Sequence, residues 1–180
     1  GSSGTSRREI RLRHAIRPAG ERLMATIRTA TMDDIPQIVE MAKRFYAYSP
    51  YPVIYGNLSK EQAAGIAIVS MQGYAECGIT PGVMLVAEDD GVIVGMLAMH
   101  IDPATYAPEV CAAESAWWVD QTHAGLGIYP ALVDRAEQEA KARGATVSAM
   151  GVMGKKSGAA VKMLKKRGYT KSHVVMMKRI

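Results

Sequence analysis

A chain of 180 residues, 48% of them hydrophobic, is long enough to bury a core without disulfides or metals and too apolar to be disordered throughout. Its two cysteines, Cys77 and Cys111, form neither a disulfide framework nor a metal-ligand motif, so both are expected as small buried hydrophobes and no metal is expected. The formal charge of +5 is concentrated in residues 1–23, which hold six Arg against two Glu, and the rest of the chain has no basic face to mark a nucleic-acid partner.

Residues 1–23 open with "GSSG", in the manner of a tag remnant, and Met24 followed by "ATIRTATMDDI" reads as a natural start, which places the functional domain at 24–180. No apolar run approaches the roughly twenty residues of a membrane span, and no secretory signal is visible, so a reducing cytoplasm is the expected setting. Residues 25–32 alternate and carry β-branched side chains, as a strand does. "MDDIPQIVEMAKRFYAYS" then places acids and a proline at a helix start, with Ile35, Ile38, Val39, Ala42 and Phe45 on one face. The proline- and tyrosine-rich "YSPYPVIYGNLS" is expected not to hold a helix, and it lies where a substrate pocket could form. Ser59 caps a second helix, "SKEQAAGIAIVSMQGYAEC". "GVMLVAEDDGVIVGMLAMHIDP" reads as two strands joined by an Asp-Gly turn, and "EVCAAESAWWV" as a third strand ending at Asp120. A helix from about Ile128 to Arg143, a strand "TVSAMGVM", a short helix "SGAAVKMLKKRG" and a last strand "HVVMMKRI" complete one α/β domain, with Met150, Met153, Met163, Met176 and Met177 expected in its core.

The turn "HAGLGIYPAL" joins a strand to a helix, where free N–H groups and the helix dipole favour an anion. Gly125 and Gly127 would let backbone approach a phosphate closely. A dinucleotide-binding turn would need a third glycine and an earlier place in the chain, and no Gly-Lys-Ser/Thr closes a P-loop. Glu114 stands among Ala112, Ala113, Ala116 and Trp117, and a carboxylate in such a run is a candidate general base. Trp117 and Trp118, successive on a strand, face opposite sides, one of them toward the core.

Together the element order and two segments, "WWVDQTHAGLGIYPALVDRAEQEAKARGA" and "SGAAVKMLKKRGY", resemble the GNAT N-acetyltransferase superfamily, in the version common among phage-encoded members. That resemblance implies a mixed, mostly antiparallel α/β sheet flanked by helices, binding acetyl-CoA and transferring its acetyl group directly to an amine. It implies cofactor contacts at Val119, Ala124, Gly125, Leu126, Gly127, Ile128, Tyr129 and Ser157, with Ala124, Gly127 and Tyr129 in the Arg/Gln, first Gly and final Gly/Ala slots of the loop pattern. It also implies substrate contacts at Tyr106 and Trp117, and leaves Leu164 where the family often has an acidic tyrosine. Lys155, Lys156, Lys162, Lys165, Lys166 and Arg167 could reach the cofactor's 3′-phosphate. The acceptor is a small-molecule, peptide or protein amine; a final exposed strand could pair in a homodimer, and a catalytically reduced domain that only binds CoA or a protein partner is the alternative reading.

Overall fold

The computed structural model describes residues 25–153, 158–172 and 175–178. β1 (Thr26–Thr29) leads through a single 3-10 turn into α1 (Ile35–Tyr48), α2 (Tyr51–Tyr55) and α3 (Lys60–Gln72). β2 (Val83–Asp89), β3 (Val92–Pro103) and β4 (Val110–Val119) follow as a meander, and α4 (Ile128–Ala142), β5 (Val147–Ala149) and α5 (Gly158–Lys166) complete the order. Among the described residues the sheet runs β1-β2-β3-β4-β5, antiparallel as far as β4 and parallel between β4 and β5.

Local chemistry accounts for the joints. Asp90 and Gly91 both take left-handed angles, φ 50° and 78°, and turn β2 into β3 as an Asp-Gly hairpin does. The Ser59 hydroxyl accepts the Gln62 N–H at 3.1 Å and so caps α3. Arg28 of β1 grips Asp34, just ahead of α1, through two hydrogen bonds of 2.7 and 2.8 Å, and this guanidinium holds the Asp34 pKa down at about 2.

The central strands are buried on both faces, so they read as continuous apolar runs. Val83, Leu85, Leu97, Trp117 and Val119 pack on one face under Leu132, Val133 and Ala136 of α4 and Leu164 of α5. Met84, Val86, Met96, Ala98 and Trp118 pack on the other, against Ile38 and Met41 of α1 and Ala67 of α3. No helix among the described residues is long and apolar enough to cross a membrane.

Four expectations change. "YSPYPVIYGNLS" does hold a short helix, α2, because Pro50 sits at its N-cap and Pro52 in its first turn, where a missing N–H removes no hydrogen bond. In "HVVMMKRI", Val175 to Lys178 form no strand; the three-residue edge strand β5 offers little ladder to extend, and Met176 is 88% exposed. His173, Val174, Arg179 and Ile180, like residues 1–24, lie outside the described residues. Cys77 is exposed and Cys111 half-buried, since one sits in a surface turn and the other near the start of β4. Met150 and Met163 pack on the core as expected, whereas Met153 and Met177 are exposed with Met176.

Candidate active site

β5 pairs with β4 only at Cys111–Ala113, while β4 runs on to Val119. On its other side β4 stays paired with β3, and the Asp120 N–H still reaches the Val94 carbonyl at 2.9 Å. Successive strand residues send their N–H groups to opposite sides, so that of Val119 points away from β3, into the gap beyond the end of β5. A bulge lies within this stretch: Ala98 faces Ala116 and Met99 faces Glu114, which leaves Ser115 as the extra residue.

Glu114 is placed where the two strands part. Its Oε2 accepts the Gly151 N–H at 3.2 Å, from the segment that follows β5. A Cβ on Gly151 would stand 2.6 Å from that oxygen, so any side chain there would shift the carboxylate. Burial pushes the Glu114 pKa up to about 7, and the Gly151 N–H acts in the opposite sense by favouring the carboxylate. Tyr51 of α2 feels the same group: burial first, and then the Glu114 charge, raise its pKa. A carboxyl that exchanges its proton near neutrality, at the edge of an open gap, suits general-base work.

The glycine turn lies past the far end of β4. Gly125 and Gly127 have φ 87° and 82°, and a Cβ at either would meet nothing within 4 Å, so the turn is held open by conformation rather than by crowding. Ala124 and Leu126 donate their N–H groups inward, to Gln121 and His123 carbonyls at 3.3 and 3.4 Å. These two expected cofactor contacts are therefore engaged in the local turn. Among the described residues no acceptor is seen for the N–H groups of Gly125, Gly127, Ile128 and Tyr129, the last two being first-turn donors without an intrahelical acceptor. The Ile128 side chain is buried, so only its backbone faces the turn.

Tyr129 does not block the turn. Its ring packs edge-on against Trp117 with centroids 5.1 Å apart, and its hydroxyl oxygen accepts the Val119 N–H at 3.2 Å. The gap-facing donor of Val119 thus has a partner within the chain, the Tyr129 hydroxyl. Gly125 and Gly127 are the two residues of the turn with left-handed angles, and Tyr129 lies in the first turn of α4.

Trp117 lies on the α4 face and Trp118 on the α1 face. Trp118 packs on Phe45 and Tyr48 of α1, with ring centroids 5.9 and 5.0 Å apart. Trp117 is 8% exposed, and its Nε1 is a buried donor with no acceptor among the described residues. An open turn with free N–H groups and an orphaned indole N–H beside the gap both fit an acyl-CoA, whose phosphates and amide carbonyls are acceptors.

Other expected residues stand apart. Tyr106 is 99% exposed in the β3–β4 loop, at the end of β4 opposite the turn, because that loop projects from the sheet. Lys155, Lys156 and Ser157 lie outside the described residues. Arg167 is engaged with Asp134 through two bonds of 2.7 and 2.9 Å, so its charge is already paired. Leu164 is core, 5% exposed. Sequence reasoning missed Gly151, which nothing local marks; in the tyrosine-rich segment that it did single out, Tyr51 meets the rings of Phe45, Tyr46 and Tyr55.

The sequence model described as "Acetyltransferase (GNAT) family" matches residues 38–169. No curated protein matches the chain. Among solved structures, a ribosomal-protein-alanine N-acetyltransferase from Brucella melitensis biovar Abortus superposes with a TM-score of 0.64 at 14% identity, covering 87% of this chain and 99% of that one. A "predicted acetyltransferase with acetyl-CoA" from Clostridium acetobutylicum gives 0.65 at 22% identity, over 87% and 96%. An aminoglycoside acetyltransferase from an uncultured soil metagenomic sample, in complex with sisomicin, gives 0.62 at 15%, over 86% and 95%. At these identities the likeness is one of fold.

Proposed function

We propose that this chain, which belongs to the acetyltransferase (GNAT) family, moves an acetyl group from acetyl-CoA directly to an amine, with Glu114 as the general base. The observation that carries the reading is the half-buried Glu114 carboxyl, with its pKa near 7, at the point where β4 and β5 part.

Bound acetyl-CoA would supply an acyl carbon open to an amine nitrogen and a sulfur able to leave as thiolate. The residues of this chain do the rest. The N–H groups of Gly125, Gly127, Ile128 and Tyr129 would hold the pyrophosphate, and the Trp117 indole N–H would find an acceptor along the pantetheine arm. The Glu114 carboxylate takes the amine proton, directly or through one water, and the Gly151 N–H keeps it aimed across the gap. Leu164 offers no proton to the leaving thiolate, but a thiol of pKa about 8.5 is a competent leaving group that solvent can reprotonate.

The test joins calorimetry to turnover. Wild-type protein should bind acetyl-CoA saturably; Gly127→Trp should lose that binding while still unfolding cooperatively, at a lower melting temperature because a side chain at φ 82° is strained; and Glu114→Gln should bind but release thiol far more slowly. No binding at millimolar acetyl-CoA would overturn the reading. Binding without thiol release for any amine would favour a CoA-binding module, the role that the core position of Leu164 supports.

A further inference from the structure

A second group of reactive side chains lies on the α3 side of the sheet. Met99, the register partner of Glu114, packs on the α4 face, so Glu114 and this group stand on opposite faces. His100 Nδ1 and Ser115 Oγ are hydrogen-bonded at 3.0 Å, and the Asp102 carboxylate lies 3.8 Å from His100 Nε2. His100 and Asp102 share a face of β3 because strand residues two apart do, and Ser115 joins them as the extra residue of the β4 bulge. His100 and Ser115 form the polar end of a cavity of about 460 Å³, walled by Ile66 and Val69 of α3 and by Ile79. That volume falls in the range of small-molecule sites. Thr80 lines it as well, and its hydroxyl makes a long bond of 3.4 Å to the Ile101 carbonyl.

We propose that Ser115 is a nucleophile with His100 as its base, and that this cavity is a second catalytic site, which hydrolyses esters of short, uncharged acyl groups. The chemistry needs neither acetyl-CoA nor Glu114. Asp102 beside Nε2 favours the tautomer that carries its proton there, which leaves Nδ1 to accept the proton of Ser115. As Oγ bonds to the ester carbonyl carbon, its proton passes to Nδ1, and the Thr80 hydroxyl donates to the carbonyl oxygen where charge develops. The ester C–O bond then breaks, and the departing alcoholate takes the proton from His100. Water attacks the acyl group on Ser115 in turn, giving a proton to Nδ1 that returns to Oγ as the carboxylic acid leaves. Among the described residues the lining holds no Asp, Glu, Lys or Arg. An uncharged acyl chain is therefore desolvated there favourably, whereas a charged one would lose its hydration without gaining a partner.

The test uses 4-nitrophenyl butyrate and no acetyl-CoA. Wild-type protein should hydrolyse this ester with saturable kinetics, and mass spectrometry of the quenched reaction should find a butyryl group on Ser115. Ser115→Ala should return the rate to that of buffer, and His100→Gln should lower kcat by about 10²–10⁴-fold. Both residues are exposed, so both variants should melt with the wild type. Gly65, on the α3 wall, probes the cavity itself: a Cβ there meets nothing within 4 Å, and leucine favours the helix more than glycine does. Gly65→Leu should therefore raise KM by about tenfold with little change in kcat, and the charged 4-nitrophenyl succinate monoester should be about tenfold poorer in kcat/KM than the butyrate. Hydrolysis no faster than in buffer would overturn the proposal, as would hydrolysis that survives Ser115→Ala or a butyryl group found only on other residues. Turnover of the succinate as fast as the butyrate, or an unchanged KM in Gly65→Leu, would overturn the assignment of the cavity as the acyl seat.

Discussion

At the scale of single residues, Glu114 sets function against stability. Its ordinary carboxyl pKa of 4.5 is raised to about 7 in the fold, so between those values the folded protein keeps a proton that the unfolded chain has lost. The stability linked to this group is accordingly full below about pH 4.5 and is lost as pH rises toward 7. Transfer has the opposite dependence, because only the carboxylate accepts a proton, and kcat should climb through about pH 7. Glu114→Gln should lower kcat by about 10²–10⁴-fold and abolish that limb. The same variant should melt above wild type at pH 8, with the difference closing toward pH 5, as scanning calorimetry across the range would show. Gly151→Ala probes the base without removing it. The new Cβ, 2.6 Å from Oε2, must displace the carboxylate from its one N–H donor, so the kinetic pKa should move upward while kcat at high pH falls about tenfold. An unmoved pH profile in that variant would show that Gly151 has no part in setting the base.

Between elements, the decisive contact is Tyr129 of α4 against the free edge of β4. Val119 N–H has no strand to bond beyond the end of β5, and the tyrosine hydroxyl takes that place. Tyr129→Phe should leave a buried donor unpaired and cost about 1–3 kcal/mol, measurable by urea denaturation. Such packing was not legible beforehand. The order of elements was, because Ile35, Ile38, Val39, Ala42 and Phe45 repeat at helical spacing and "EDDG" turns a hairpin; the glycine turn was legible because a strand and a helix flank it. Glu114 could be singled out as a charge within an apolar strand. What remained hidden depends on contacts across the fold. The direction of Tyr129 is fixed by Trp117 and Val119, and the gap exists because β5 stops at three residues, while "TVSAMGVM" reads as a longer strand. The sidedness of Trp117 and Trp118 follows from the register across the Ser115 bulge, which no local pattern encodes.

For the molecule as a whole, the two hydrophobic cores meet only through the sheet, and the sheet is incomplete where β4 outruns β5. A ligand entering that gap would supply contacts that the chain does not make for itself, among them an acceptor for the orphaned Trp117 N–H. Binding that is exclusive to the folded state stabilises it by mass action, by about 2.7 kcal/mol when free ligand stands a hundredfold above Kd. For a domain of this length each kcal/mol moves the melting temperature by about 2–4 °C, so saturating acetyl-CoA should raise it by about 5–10 °C. Gly127→Trp should show no such rise. Trp117→Phe keeps the ring and loses the donor, so it should melt close to wild type, or slightly above, when free, because an unpaired polar group has gone from the core. With acetyl-CoA present its rise should be smaller than that of wild type. An equal rise in the two would mean that the indole N–H is satisfied by water and takes no part in holding the cofactor, whereas the same rise in Gly127→Trp would move the cofactor away from the glycine turn altogether.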